Sequence, residues 1–387
     1  MVGALALALV VASLGLLFVY PAEYVRRLVV WGDADVGDLH RFPARAVPHR
    51  AGAGDPPADP QPDRVARAFG AAQPGPSMDA WLSAQGTLAF VVMQHGRVLH
   101  EAYHAGQPRD APVTSFSVAK SVLATLVHAL LADGRIASLD QRLVTWLPEL
   151  NARDARFARI TLRQLLNMHS GIAYREFPFF HGDDAKTYYW PDLRALALQH
   201  TRIASEPGGA WLYNNYHPLL VGLVVERVGG KPVAVQLGER IWQPAGFGAG
   251  ASWSLDSERS GFEKLESGLN ARALDYARFG QLMLDGGRAA DGTQVLPEAM
   301  VREMTSPDGA LPLDGMRPGL TYQRFWWIQR REGGGHVFSA RGNHGQFVFV
   351  DPAAGVVIAR FGSRYGVPPA QWMRLFERMA EELGRPG

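Results

Sequence analysis

Ser117 and Lys120 stand three residues apart in the stretch Thr114-Ser115-Phe116-Ser117-Val118-Ala119-Lys120-Ser121, ahead of an apolar run from Val122 to Leu131. Residues three apart on a helix lie one turn from each other on the same face. A helix opening at Ser117 therefore brings the lysine amine to the serine hydroxyl. That hydroxyl is a weak nucleophile at neutral pH until a base takes its proton, and a lysine can be that base once burial lowers its pKa. The helix N-terminus adds free backbone N–H groups where an oxyanion would form. Serine and lysine at this spacing also meet by accident about once in a chain of this length. What sets this pair apart is the long apolar helix behind it and two further groups downstream.

The second group is Pro207-Gly208-Gly209-Ala210-Trp211-Leu212-Tyr213-Asn214-Asn215-Tyr216, leading into an apolar helix from Leu219 to Val228. A tyrosine at a helix mouth can take or return a proton if neighbouring cations lower its pKa. Asn215 can orient the lysine or a substrate amide. The plainer alternative is an aromatic staple on a loop. The third group is Arg341-Gly342-Asn343-His344-Gly345-Gln346, just before the strand-like Phe347-Val348-Phe349-Val350. Its glycines would let a strand edge approach a ligand, and the Gln346 N–H could donate to an oxyanion. A glycine-rich hairpin turn would read the same way.

One motif points elsewhere. His100-Glu101-Ala102-Tyr103-His104 matches the HExxH pattern of zinc peptidases, which works only on a helix. Val98, Leu99 and the Gly96 turn instead predict a strand, where the two histidines lie about 13 Å apart, too far to share one ion. A zinc peptidase is thus a distant alternative, and the serine chemistry calls for no metal and no cofactor.

The positioning elements follow from the rest of the chain. Its 387 residues are 47% apolar, enough for a large core, and 39 basic against 37 acidic residues give no nucleic-acid surface. Cysteine is absent, which excludes disulfides and thiol catalysis. Thr87 to Met93 and Arg97 to Tyr103 predict a hairpin, residues 233–303 read as mostly helical, and strand signals return at Gln323–Gln329, His336–Ser339, Gln346–Val350 and Gly355–Phe361. An amphipathic helix from about Pro369 to Leu383 ends the chain. Early and late strands around helices predict one sheet closed by both ends of a domain over 78–387, with a helical insertion at about 135–310. Residues 23–77, rich in Pro, Ala and Gly, read as a linker arm. Residues 1–22 carry no charge, and Val2 to Tyr20 is long and apolar enough to anchor the protein in a membrane, the catalytic part then lying on the extracytoplasmic side. Arg26 and Arg27 just after the span argue for the opposite orientation.

Taken together, SVAK at Ser117, YNN at Tyr213 and NHG at Asn343 resemble the serine β-lactamase and penicillin-binding protein superfamily. The tyrosine-containing second box is similar to the class C branch, which includes class C β-lactamases, family VIII esterases and 6-aminohexanoate-dimer hydrolase. FSVAKS, LLNMHSGI and HGQ look closest to the last group, and the similarity runs from about Met78 to Leu383. The resemblance implies an α/β (α+β), β-lactamase-like fold with an antiparallel sheet flanked by helices. It implies that Ser117 is acylated, that Lys120 holds or receives its proton, and that Tyr213 protonates the leaving group and then activates water. Asn215 would support Lys120, Tyr174 matches a tyrosine that contacts the amide, and the N–H groups of Ser117 and Gln346 would form the oxyanion hole. Asn343, His344 and Gly345 belong to the same substrate-facing box. The lysine of the usual KTG third box is missing, and Arg341 is the nearest cation that could replace its charge. That departure favours an ester or small-amide substrate over a lactam or a peptidoglycan peptide. A protein that keeps the pocket and binds without reacting is the alternative from another class.

Overall fold

In a computed structural model of the chain, which describes residues 19–313 and 315–385, the run after Ser117 forms the helix Val118–Ala132. Every residue from Val118 to Leu130 is buried, polar Lys120, Ser121, Thr125 and His128 included. A helix apolar all round belongs in the middle of a protein, and this one is wrapped on all sides.

Eleven strands are named in chain order: β1 (Ala44–Val47), β2 (Thr87–Gln94), β3 (Arg97–Tyr103), β4 (Val113–Thr114), β5 (Ala251–Ser254), β6 (Leu269–Ala271), β7 (Leu320–Gln323), β8 (Trp326–Arg330), β9 (His336–Gly342), β10 (Gln346–Asp351) and β11 (Val356–Gly362). Seven of them form an antiparallel sheet in the order β3-β2-β11-β10-β9-β8-β7. The early hairpin turns at His95 and Gly96, both at positive φ, and the late strands join it where Val357 pairs with Met93 and Ile358 with Val92. The sheet is thus closed by both ends of the domain, as the strand signals predict.

Alternation along these strands separates two cores. Phe90, Val92, Phe347 and Phe349 face the helices Pro62–Ala72 and Pro369–Gly384, with Trp372 and Phe376 fully buried between. Val91, Met93, Val348 and Val357 face the opposite way, toward Val118–Ala132 and Ala273–Leu284. The second of those helices comes so close at Gly280 that a Cβ there would lie 2.7 Å from Val357 and 2.8 Å from Val348. Between the sheet's two halves lie mostly helices, but also β5 and β6, which form a four-stranded sheet β1-β5-β6-β4. The expectation of a helical stretch over 233–303 misses them. Strands of three or four residues show too little alternation to be seen in sequence, and these are completed by β1 from far upstream.

The Pro- and Gly-rich residues 23–77, read as an arm, are folded onto the body. The helix Ala22–Trp31 buries Tyr24, Val25, Arg27 and Leu28, and Arg27 donates to the carbonyls of Tyr189 (2.9 Å) and Asp256 (2.7 Å). β1 pairs with β5. Asp55, in the middle of the proline cluster, is held by Arg109 at 2.7 Å and by Arg272 at 2.9 Å. Prolines stiffen a segment as readily as they free it, and here they set an extended path across the surface.

The expected membrane anchor at residues 2–20 lies, apart from Val19 and Tyr20, outside the described residues. Among the described residues no helix is long and apolar enough to cross a membrane. Tyr20 packs on the body, its hydroxyl 2.6 Å from His181 Nδ1 and its ring edge-on to Trp190. The expectations of membrane attachment and of an extracytoplasmic catalytic part are corrected on that finding.

Candidate active site

Ser117 is aimed by the strand before it and the strand end beside it. β4 pairs with β6, and Ser115 N–H donates to Leu269 O at 2.9 Å, which fixes the chain two residues ahead of Ser117. Phe116 then takes φ 43, a left-handed conformation uncommon for a bulky residue. Phe116 and Val118 are buried, and Ser117 between them is half-buried at the helix mouth. From the other side, β9 ends at Gly342. A Cβ there would stand 2.4 Å from Ser115 O and 3.0 Å from Ser117 N. Gly342 has an ordinary extended φ of −133, so glycine is needed for close approach and not for its torsion.

Lys120 is 1% exposed, and its amine donates to Ser117 Oγ at 2.6 Å and to the carbonyl of Glu266 at 2.8 Å. Both acceptors are uncharged. Burial pushes the amine down to about 7, opposed in part by the charges of Glu266 and Asp184. A large share of Lys120 is therefore neutral near pH 7, bonded to the hydroxyl it would deprotonate.

Tyr213 completes the group. Its ring lies 5.1 Å from the Lys120 amine and stacks on Trp327 at 6.2 Å and 21°. The sequence reading has neighbouring cations lowering its pKa. The structure reverses that sign: burial holds the phenol well above its ordinary range, and the nearness of the Ser117 hydroxyl offsets only part of the shift. A single lysine that readily gives up its own proton does not outweigh burial, so Tyr213 rests as a proton donor.

Three further residues form a second cluster beside this one. Tyr174 donates to Asp184 Oδ1 at 2.9 Å, and the Asn215 amide donates to both Tyr174 Oη and Asp184 Oδ1 at 2.9 Å. The Asn215 oxygen is buried and has no hydrogen-bond partner among the described residues. Asn215 does not hold the Lys120 amine; the Glu266 carbonyl does. Neither Glu266 nor Asp184 stands out in sequence, the first because it acts through its backbone and the second because it is one acid among many.

The third box serves mainly as scaffold. Asn343 is exposed and its side chain accepts from the His344 N–H at 2.9 Å. The His344 ring lies 5.0 Å from Phe116, with Nε2 at 2.8 Å from Ala34 O and Nδ1 at 3.1 Å from Ser363 O. Gly345, at φ 79, leaves room for buried Arg360, which donates to its carbonyl at 2.7 Å. Gln346 is bonded through its side chain to Asn343 O and to both backbone groups of Gly362. The residue this box brings against Ser117 is Gly342, whereas Gln346 stands opposite it on β10. Arg341 lies over Trp327 at 5.0 Å and donates to Ser339 Oγ at 2.9 Å. His100 falls inside strand β3 and His104 just beyond it, and among the described residues no three His, Asp or Glu side chains are grouped to hold a metal ion.

An antiparallel sheet with a helical insertion and a serine, a lysine and a tyrosine drawn together at a helix mouth defines a serine hydrolase of β-lactamase-like fold. The chain belongs to the Beta-lactamase family, whose model matches residues 78–374. It is 29% identical over 348 residues to the 6-aminohexanoate-dimer hydrolase of Paenarthrobacter ureafaciens, covering 86% of this chain and 85% of that one. With Esterase EstB of Burkholderia gladioli it shares 30% identity over 190 residues, 44% of this chain and 47% of that one. A solved Bacillus anthracis structure, provisionally named as a 6-aminohexanoate-dimer hydrolase, superposes with TM-score 0.76 at 25% identity, over 90% of this chain and 92% of that one.

Proposed function

We propose that the protein cleaves an ester or amide bond of a small molecule through an acyl-enzyme on Ser117. The observation that carries the reading is the 2.6 Å bond from a buried lysine to a half-exposed serine. Neutral Lys120 takes the Ser117 proton as Oγ attacks the carbonyl carbon, and the carbonyl π pair moves onto oxygen. The N–H of Ser117, at the mouth of the Val118–Ala132 helix, faces that oxyanion together with the end of β9. As the intermediate collapses, the Tyr213 phenol gives its proton to the leaving oxygen or nitrogen, and the proton on Lys120 restores the phenol. Water then attacks the acyl carbonyl by the same relay in reverse, which frees the acid and Ser117. Trp327 holds the Tyr213 ring by stacking, while Tyr174, Asn215 and Asp184 stand at the side of the site.

Incubation with a fluorophosphonate probe and with p-nitrophenyl acetate tests this. Wild type should be labelled and should turn over the ester, and Ser117→Ala should do neither. Equal labelling and turnover in both proteins would overturn the reading.

A further inference from the structure

Lys120 is held by a turn that carries a buried ion pair. Within Lys264–Gly268, the Lys264 carbonyl accepts from the N–H groups of Ser267 (3.1 Å) and Gly268 (2.7 Å), and from Trp253 Nε1 (2.9 Å). The Lys264 amine meets Glu266 Oε1 at 3.1 Å, with the two side chains 2% and 3% exposed. Ser267 Oγ donates to the same oxygen at 2.7 Å, and Glu266 Oε2 is buried with no partner among the described residues. The Glu266 carbonyl is one of the two acceptors of the Lys120 amine. At its outer end Lys264 lies over the rings of Tyr188 (3.9 Å) and Phe42 (4.5 Å) and donates to Tyr188 O. Tyr188 in turn donates to Asp38 Oδ2 at 2.9 Å. A closed path therefore runs from the amino-terminal segment to the nucleophile.

We propose that Lys264 and Glu266 are positioning residues for Lys120: the pair clamps the turn whose carbonyl aims the lysine at Ser117, and its carboxylate sets the charge that lysine feels. This rests on Lys120 being the base of the proposed reaction. The other titratable or charged groups facing the path are Ser117, Tyr213 and Asp184 at Lys120, and Arg27, Asp38 and Tyr188 at Lys264.

The test is the pH profile of kcat/KM for p-nitrophenyl acetate, whose acidic limb reports the step that makes Lys120 neutral. In wild type the limb should fall near pH 7. Glu266→Gln removes a negative charge that favours the Lys120 ammonium, so the limb should move to lower pH by about one unit. Lys264→Met leaves that carboxylate uncompensated, so the limb should move the opposite way by a similar amount. The double variant should bring it back toward wild type and keeps the proposal testable should Lys264→Met fail to fold. Both single variants should lose about tenfold or more in kcat with a much smaller change in KM. A merely structural pair would lower the melting temperature and leave the limb in place. Superimposable profiles in folded variants that the fluorophosphonate still labels would overturn the proposal alone. An unlabelled wild type would overturn the serine chemistry beneath it.

Discussion

Lys120 and Lys264 are both 1% exposed, and burial pushes both amines down from the ordinary lysine range. Their surroundings differ in one respect that decides what each can do. Lys264 has a carboxylate at 3.1 Å and two aromatic faces, all of which favour its ammonium. Among the described residues Lys120 has only a hydroxyl and a carbonyl as acceptors, with an aromatic face at 5.1 Å. Burial alone does not make a lysine into a base. Burial without a directly bonded carboxylate does, because the ammonium is then costly and its loss is cheap. Glu266 bonds Lys264 through its carboxylate and Lys120 through its carbonyl, so its charge acts directly on the first lysine and only across space on the second.

The widest gap between the two should appear on replacing each by methionine. Lys120→Met removes the proposed base, and kcat/KM should fall by about 10²–10⁴-fold. It also removes a buried amine whose charged form has no bonded counter-charge, so the melting temperature should rise. Lys264→Met should do the reverse to stability, costing about 3–5 kcal/mol because it strands the Glu266 carboxylate. Differential scanning calorimetry beside the kinetics decides this, and a lower melting temperature for Lys120→Met would break the comparison.

A smaller effect is expected where the sheet meets Ser117. Gly342→Ala is compatible with the local torsion, yet its methyl would collide with Ser115 O and crowd Ser117 N. The strand end must retreat by about 1 Å to restore ordinary contact, which should cost about tenfold to a hundredfold in kcat. Labelling of Ser117 by the fluorophosphonate should slow but persist. Unchanged kcat would mean that the strand end takes no part in holding Ser117.

The sheet strands and the pairing of Ser117 with Lys120 were legible because they depend on local spacing: alternation in β2 and β10, and i to i+3 at one helix start. What escaped depends on distant partners. β5 and β6 exist because β1 and β4 pair with them, and no window around Ser254 or Asn270 shows that. The amino-terminal segment reads as loose from its prolines, but Arg27, Phe42 and Asp55 are held by Tyr189, Lys264 and Arg272, all more than 140 residues away. Asn215 was assigned a lysine that the Glu266 backbone in fact holds, and a carbonyl leaves no trace in sequence. The phenol of Tyr213 was given the wrong sign because its type and neighbours are visible in sequence and its burial is not.

The finest test lies at the far end of the Lys264 side. Tyr188 supports that lysine with its ring and its carbonyl, both of which Tyr188→Phe retains, while its hydroxyl donates only to Asp38. Asp38 keeps its other partners, Arg41 at 2.8 Å and the Asp35 N–H at 3.0 Å, so its carboxylate is not stranded. The variant should lose about 1 kcal/mol of stability, the net worth of one hydrogen bond. Its melting temperature should drop by a degree or two, and kcat/KM should stay within about twofold of wild type. A larger kinetic loss would show that the hydroxyl, and with it the amino-terminal segment, reaches Lys120 by a route other than the cation over the ring, and the two lysine environments would no longer be separable.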